Sequence, residues 1–551
     1  MTRGHGVQAT EKILDEFPQQ STADVVIIGG GPNGLMAGAY LARAGLKTVL
    51  LERRHEIGGG LATEETLFPG FYTNPHAVYH LMTDYMPVLR DFDLDRHGLT
   101  FIKPNAQTAA LFRDGSSLLL SHQIEDTKDS IAKFSPRDAR TFGQVMRRWH
   151  RVVEEVVAPG TYLPPLAPID MIEALSRTEA GEEALRLTEM SPIEIFDELF
   201  ENDRVKMALL YLACMWGLSP HDSGLGFLVP MLVERGMNKA VCYGGSHKLA
   251  GALSREIHRA GGTIIDNAEV TRILVEDGHV TGVEMFDGRV ITAKAVLSSL
   301  PPPQTFGGLV EPQWVPPELL QTAKQWEWDQ WSFFTLSAAT TEAPKYTTDD
   351  PRVNDAFMTI LGFDSTDELL DHWDTVLSGD VGAGVGGHAT NETRYDPTLP
   401  RVPGHQVGFL QIHAPYDIEG GWKARHDELA ETLLDKWRQY APNLTRDKVV
   451  MMSAESPLDI ETRLPNMVRG SIKHGHYDPL QMGVFRPHDS CVGGRAPIDG
   501  LYLCGASSYP GGLVIGGPGY IAAESVVDDL GVDRWWHAPR FVHRYQEAYL
   551  E

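Results

Sequence analysis

Three observations predict an α/β chain in which one nucleotide-binding domain is assembled from separate stretches of sequence, with a mixed α+β domain inserted between them. The first is a strand–turn–helix–strand unit near the start, DVVIIGGGPNGLMAGAYLARAGLKTVLLE, running from Asp24 to Glu52. The second is a return of α/β character over residues 244–300. The third is a strand, a glycine-rich crossing and a helix beyond residue 490.

Each element has a physical reason. Val25 to Ile28 is a short β-branched run, as expected of a strand buried on both faces. Gly29 permits a tight turn, Gly31 lets backbone approach a pyrophosphate, and Gly34 lets a helix pack close to the strand. The helix expected from about Asn33 to Ala44 aims its unpaired N–H groups and positive end at phosphates. Gly45 ends it, Thr48 to Leu51 forms the next strand, and Glu52 stands where a carboxylate can accept from a ribose diol. This is a Rossmann-like fingerprint in full context. A second literal match at Gly382, Gly384 and Gly387 lacks that context, because no apolar strand precedes it closely and a polar, proline-containing stretch follows. It reads as a flexible loop.

Further along, residues 61–90 read as loop and strand leading into a helix, and TAALFRDG with SSLLLS as strands joined by a DG turn. From about Pro136 to Arg235 the pattern is helical and punctuated by prolines. Its apolar stretch from Met207 to Met231 reads as buried core, or else as an entrance for an apolar ligand. GGSHKLAGALSREIHRAGG gives a glycine entry, an amphipathic helix and a glycine stop, followed by short strands with turns at DGH and DGR. Residues 304–455 mix strands with the helix HDELAETLLDKWRQYA.

Composition narrows the function classes. The chain has 551 residues and a net charge of −26, which disfavours nucleic acid as a partner. Four cysteines, with no CxxC pair, suggest neither a zinc site nor a dithiol centre and fit a cytoplasmic location. The first residues lack the apolar core of a secretory signal, and no run is long enough to span a membrane; peripheral membrane contact stays open. His474 and His476 flank Gly475 without an acid or cysteine at ligand spacing, so no metal is expected.

A dinucleotide fold admits NAD, NADP or FAD. Three features favour FAD: the second glycine cluster Gly58 to Gly60, the β-excursion beginning near Glu269 and Val270, and the strand Leu501 to Gly505 followed by a helix starting near Gly516. The expected boundaries are a leader over 1–22, an FAD-binding domain from 23–90, 236–305 and 456–551, and a substrate or cap domain from 91–235 and 306–455.

Four longer motifs then carry a resemblance: GGGPNG with LERRHEIGGGLATEE, GGSHKLAGAL with AEVTRI, SPLDIETRLPNMVRGSIKHGHYDPLQMGVFRP, and DGLYLCGASSYPGG. Together they resemble the phytoene desaturase-related flavoproteins of the amine oxidase and carotenoid desaturase superfamily, in the branch of the pyridine nucleotide-disulphide oxidoreductase domain-containing proteins. The resemblance implies that Gly29, Gly31, Pro32, Asn33 and Gly34 hold the pyrophosphate, and that Glu52 and Arg53 lie at the adenosine ribose. It implies Gly59, Gly60 and Leu61 along the phosphate and flavin, Val270 on the adenine, and Gly505, Gly512, Leu513 and Val514 along the ribityl chain and ring. Two positions depart from the pattern. Gly60 stands where many relatives carry arginine, and Tyr509 where relatives of this branch often carry histidine.

FAD accepts hydride, so the protein must orient a C–H bond and supply a base. His76, His80, Tyr243 and Tyr509 are the candidates for catalysis, against the plainer reading of structural hydrogen bonding and packing. Trp216, Phe227, Trp326, Trp328, Trp331 and Phe333 can line an apolar pocket or simply fill core. The first expectation is dehydrogenation of a hydrophobic, isoprenoid-like substrate. The alternatives are an amine or amino-acid oxidase using oxygen, and a flavin-dependent isomerase or non-catalytic flavin-binding protein. Quinone, oxygen or a redox protein all remain open as electron acceptor, as does the oligomeric state.

Overall fold

The structure is a computed structural model that describes residues 18–382 and 386–550. Its centre is a five-stranded parallel sheet in the order Thr263–Ile265, Thr48–Leu51, Val25–Ile28, Ala295–Ser298, Leu501–Leu503. Strands from the beginning, middle and end of the chain thus lie side by side. Val25–Ile28 and Thr48–Leu51 are buried at every position, which is why both read as unbroken apolar runs. Helices Pro32–Arg43, His247–Arg259 and Gly517–Asp529 cover one face, burying Val25 and Ile27 with Leu35, Leu253 and Val526. On the other face Val26, Ile28, Val49 and Leu51 meet a four-stranded sheet whose inward residues include Ile273, Val283 and Ile291.

A seven-stranded sheet lies apart from this unit. Its order is Val449–Glu455, Ser332–Thr340, Gln406–Ala414, Gly387–Thr390, Met358–Leu361, Ala106–Leu111, Ser117–Ser121. All neighbours run antiparallel except Met358–Leu361 with Ala106–Leu111. Helix Trp422–Tyr440 packs on one face through Leu433, Leu434 and Trp437. The other face meets a helical core that includes Pro136–Val152, Asp203–Cys214 and Val229–Gly236. Met207, Leu210, Cys214 and Met231 all lie buried in that core, so the apolar stretch is packing and not an exposed entrance.

Two expectations are corrected. The leader does not extend to residue 22, because Gln20–Thr22 is a strand paired in parallel with Val290–Thr292; the rest of the leader, 1–17, lies outside the described residues. The second glycine match is not wholly loop. Gly384 lies outside the described residues, but Gly387 opens a strand, and a Cβ there would stand 2.1 Å from the Gln411 carbonyl oxygen. That glycine serves close strand approach. Among the described residues, no helix is long and apolar enough to cross a membrane.

Candidate functional site

The first glycine turn forms one wall of a groove. Gly29 has φ +97° and donates its N–H to the Leu51 carbonyl at 2.8 Å. A Cβ on Gly34 would stand 2.2 Å from the Gly29 carbonyl oxygen, so helix Pro32–Arg43 reaches the strand only because that position is glycine. Gly31 caps this helix, and a Cβ there would meet nothing within 4 Å. Its space is open on the side where the helix N-terminus presents unpaired N–H groups. The second glycine cluster is stitched to the first: Gly58 N–H donates to the Gly30 carbonyl at 2.8 Å, and a Cβ on Gly59 would stand 3.2 Å from Gly31 Cα.

Glu52 is 9% exposed and accepts from the Gly30 and Arg54 N–H groups, each at 2.8 Å. Burial raises its carboxyl above the usual range, while those two N–H groups and the Arg54 and Arg53 charges pull the other way. The Glu52 carbonyl also accepts from Ala268 N–H at 2.8 Å, which brings the start of the Val270–Glu276 strand beside it.

The opposite wall comes from the end of the chain. A Cβ on Gly505 would stand 2.3 Å from the Ser299 carbonyl oxygen, so strand Leu501–Leu503 turns directly against the turn after Ala295–Ser298. Beyond it Leu513 and Val514 both take left-handed backbone, φ +66° and +55°. That conformation is costly for a β-branched residue and marks a constrained segment. Gly512 N–H donates to the Tyr477 hydroxyl at 3.1 Å, which ties the segment to 471–477. Helix Gly517–Asp529 then starts from Gly516, giving the groove a second helix N-terminus. Asn33 and His474 line the groove, and Asn33 Oδ1 and His474 Nδ1 are buried without a protein partner. Open glycine space, two helix N-termini and unpartnered polar atoms fit a dinucleotide with a polar isoalloxazine head.

Gly60, Met467, Ile472, Leu513 and Val514 line both this groove and a second, largely apolar chamber. The chamber continues past His76, Val78, Tyr79, Trp216 and Phe409, with Tyr79 and Trp216 at 5.9 Å between ring centroids. His76 Nε2 is enclosed without a partner, and burial, with Arg463 and Arg54 nearby, pushes the imidazole down to about 3. It is therefore neutral. Behind Gly512 the buried Lys473–Asp329 ion pair, with Lys473 also donating to the Trp216 carbonyl and Ser471 to Asp329, anchors segment 471–473 beside Trp216. Removing one member of such a pair strands a buried charge and costs about 3–5 kcal/mol.

Beyond the chamber lies a small polar annex, which shares Val78, Phe409 and Gln411 with it and includes Asn74, Thr335 and Glu392. Asn74 Nδ2 donates to Glu392 at 2.8 Å, while Asn74 Oδ1 accepts from Thr63 Oγ1 and Ser246 N–H. Burial pushes the Glu392 carboxyl up to about 8.

Of the four catalytic candidates, only His76 lines the chamber. His80 sits behind it, with Nε2 3.3 Å from Ser246 Oγ and its ring edge-on to Phe101. Tyr243 is 40% exposed, and its backbone N–H is held by Thr100. The Tyr509 hydroxyl donates to the Gly160 carbonyl at 3.0 Å, in a separate crevice with Pro165 and Val492. Arg53 is exposed and Leu61 is buried in core. Among the described residues no cluster of three metal-binding side chains occurs. Sequence reasoning missed Ser299, Met467, His388 and Gln411; it singled out His474 for its HGH pattern but weighed it only as a metal ligand.

Comparisons with known proteins agree with this geometry. The profile of the family described as flavin containing amine oxidoreductase matches residues 33–342. A limonene dehydrogenase polypeptide from Castellaniella defragrans is 36% identical over 532 residues, covering 94% of this chain and 96% of the relative. The rat (Rattus norvegicus) pyridine nucleotide-disulfide oxidoreductase domain-containing protein 2 is 28% identical, covering 92% of this chain and 94% of its own length. Among solved structures, cyclohexylamine oxidase from Brevibacterium oxydans superimposes with a TM-score of 0.59 at 15% identity, covering 93% of this chain and all of that one, a likeness of fold.

Proposed function

The chain belongs to the flavin containing amine oxidoreductase family, it is an FAD-dependent oxidoreductase, and on that premise we propose that it dehydrogenates a hydrophobic, terpenoid-like substrate held in the chamber. One observation supports this reading above the others: the groove suited to FAD opens directly into a chamber walled by Val78, Tyr79, Trp216, Phe409 and Ile472. Limonene, the terpene in the name of a 36% identical relative, is a hydrocarbon of the kind such walls accept.

In this proposal Gly29, Gly31, Asn33, Gly34 and Gly59 cradle the pyrophosphate, Glu52 holds the adenosine ribose, and Gly505, Gly512, Leu513 and Val514 run along the ring. Bound FAD supplies the acceptor for a hydride. The chamber orients one C–H bond and excludes water from the carbon that loses hydride. His76, neutral above pH 5, takes the neighbouring proton; a weak base suffices because a carbon beside a cationic centre is strongly acidic. The substrate thereby loses one hydride and one proton and gains a double bond.

An amine oxidase reading has less behind it, because among the described residues no carboxylate lines the chamber to pair with an ammonium. Anaerobic mixing of the holoenzyme with cyclic terpenes tests the proposal. Bleaching of the flavin band with formation of a product two hydrogens lighter is expected. Bleaching by primary amines alone overturns it. The electron acceptor, which is oxygen, a quinone or a redox protein, is then read from which one restores the band.

A further inference from the structure

The chamber is not apolar throughout. His388, Gln411, Thr335 and Glu455 are directly paired across four neighbouring strands, so their side chains share one face of the seven-stranded sheet. His388 and Gln411 line the chamber, whereas Thr335 and Glu455 line the annex.

Hydrogen bonding at the chamber end is incomplete in a specific way. The Tyr211 hydroxyl lies 2.8 Å from His388 Nδ1, deep in the helical core. Among the described residues Nδ1 is the sole acceptor within reach of that phenolic proton, so Tyr211 donates and His388 accepts. Burial keeps the imidazole neutral, so its proton sits on Nε2. Gln411 Nε2 donates to Thr335 Oγ1 at 2.7 Å, which turns Gln411 Oε1 away from that bond. Among the described residues neither His388 Nε2 nor Gln411 Oε1 has a hydrogen-bond partner. One free donor and one free acceptor therefore stand on adjacent strands, on Cβ atoms about 5 Å apart.

We propose that His388 and Gln411 form a hydroxyl-binding site in the wall of the chamber, and that the substrate is an alcohol with an otherwise apolar skeleton. A hydroxyl satisfies both atoms at once, accepting from His388 Nε2–H and donating to Gln411 Oε1; a hydrocarbon leaves both unpaired, and a carbonyl satisfies only the histidine. Tyr211 acts as a positioning residue through the histidine tautomer. This inference rests on the chamber being the substrate site.

The test is binding of a matched pair, a cyclic monoterpene hydrocarbon and its primary alcohol, to the holoenzyme by calorimetry, with anaerobic flavin reduction followed separately. In Gln411→Leu and His388→Phe the ratio of alcohol to hydrocarbon affinity is expected to fall about tenfold or more. In Tyr211→Phe, which touches no ligand, the ratio falls severalfold. A ratio unchanged in all three variants, or no binding of either ligand, overturns the hydroxyl site. If the ratio falls while neither compound reduces the flavin, the hydroxyl site stands and the dehydrogenation reading fails. If both compounds reduce it and no variant moves the ratio, the reverse holds.

Discussion

The groove and the chamber share a wall at Gly60, Met467, Ile472, Leu513 and Val514, yet different parts of the chain make them specific. In the groove the working groups are backbone N–H groups, and side chains matter mostly by their absence: at Gly34 a single Cβ would collide with the Gly29 carbonyl at 2.2 Å. In the chamber the working groups are side chains delivered by segments hundreds of residues apart, His76 from a loop, Trp216 from the end of a helix, His388 and Gln411 from two paired strands. Backbone recognition demands glycines at fixed spacing within one short stretch. Side-chain recognition demands only convergence in space. The first kind of site is bound to the fold; the second can be changed without touching it.

The largest expected effects break the groove. Gly34→Ala should destabilise the protein by about 3 kcal/mol or more, since helix Pro32–Arg43 must move off the strand. Gly31→Ala meets no protein atom within 4 Å, so its melting temperature without flavin should match the parent. Its flavin content after purification should nevertheless drop at least tenfold, because the added methyl enters the space assigned to phosphate. A Gly31→Ala protein that retains flavin contradicts that assignment.

Next comes the chamber. His76→Gln should keep full flavin content and slow anaerobic flavin reduction about a hundredfold, as expected when a positioned base is lost. Loss of flavin together with rate would instead place His76 in the cofactor site.

A smaller effect concerns the annex. The Glu392 carboxyl is raised to about 8 by burial, with Asp396 nearby adding to the rise, whereas in the unfolded chain it titrates near the ordinary carboxylate value. The folded state thus binds more protons between those values, so this group's contribution to stability is full at low pH and is lost as pH rises through about 8. Glu392→Gln removes that loss. The variant should gain stability relative to the parent as pH goes from 5 to 9; parallel curves in thermal denaturation would refute the buried neutral acid.

Smallest of all is Tyr243→Phe. The side chain is 40% exposed and reaches neither cavity, so stability should change by less than about 0.5 kcal/mol and reduction rates by less than twofold.

The same contrast explains what the sequence made legible. Val25–Ile28, Gly29, Gly31, Gly34 and Glu52 could be read because their spacing is local and each residue type has one physical reason to be there. The strand Leu501–Leu503 and its glycines could be read for the same cause. His388 could not, because its neighbour Gln411 lies on another strand and its tautomer is set by Tyr211 in a distant helix. Tyr509 misled because a tyrosine next to the flavin motif carries no sign that its hydroxyl is committed to Gly160. The glycine match at Gly387 misled in the opposite way, since strands also need glycine where backbones crowd.

The measurement that bears most directly on the whole account is anaerobic flavin reduction in Val78→Trp, which fills the chamber from a position outside the groove. The account predicts a normal flavin complement in the purified protein together with loss of reduction by the terpene substrate. Reduction at the parent rate with the chamber filled would contradict it, because the reaction would then lie elsewhere.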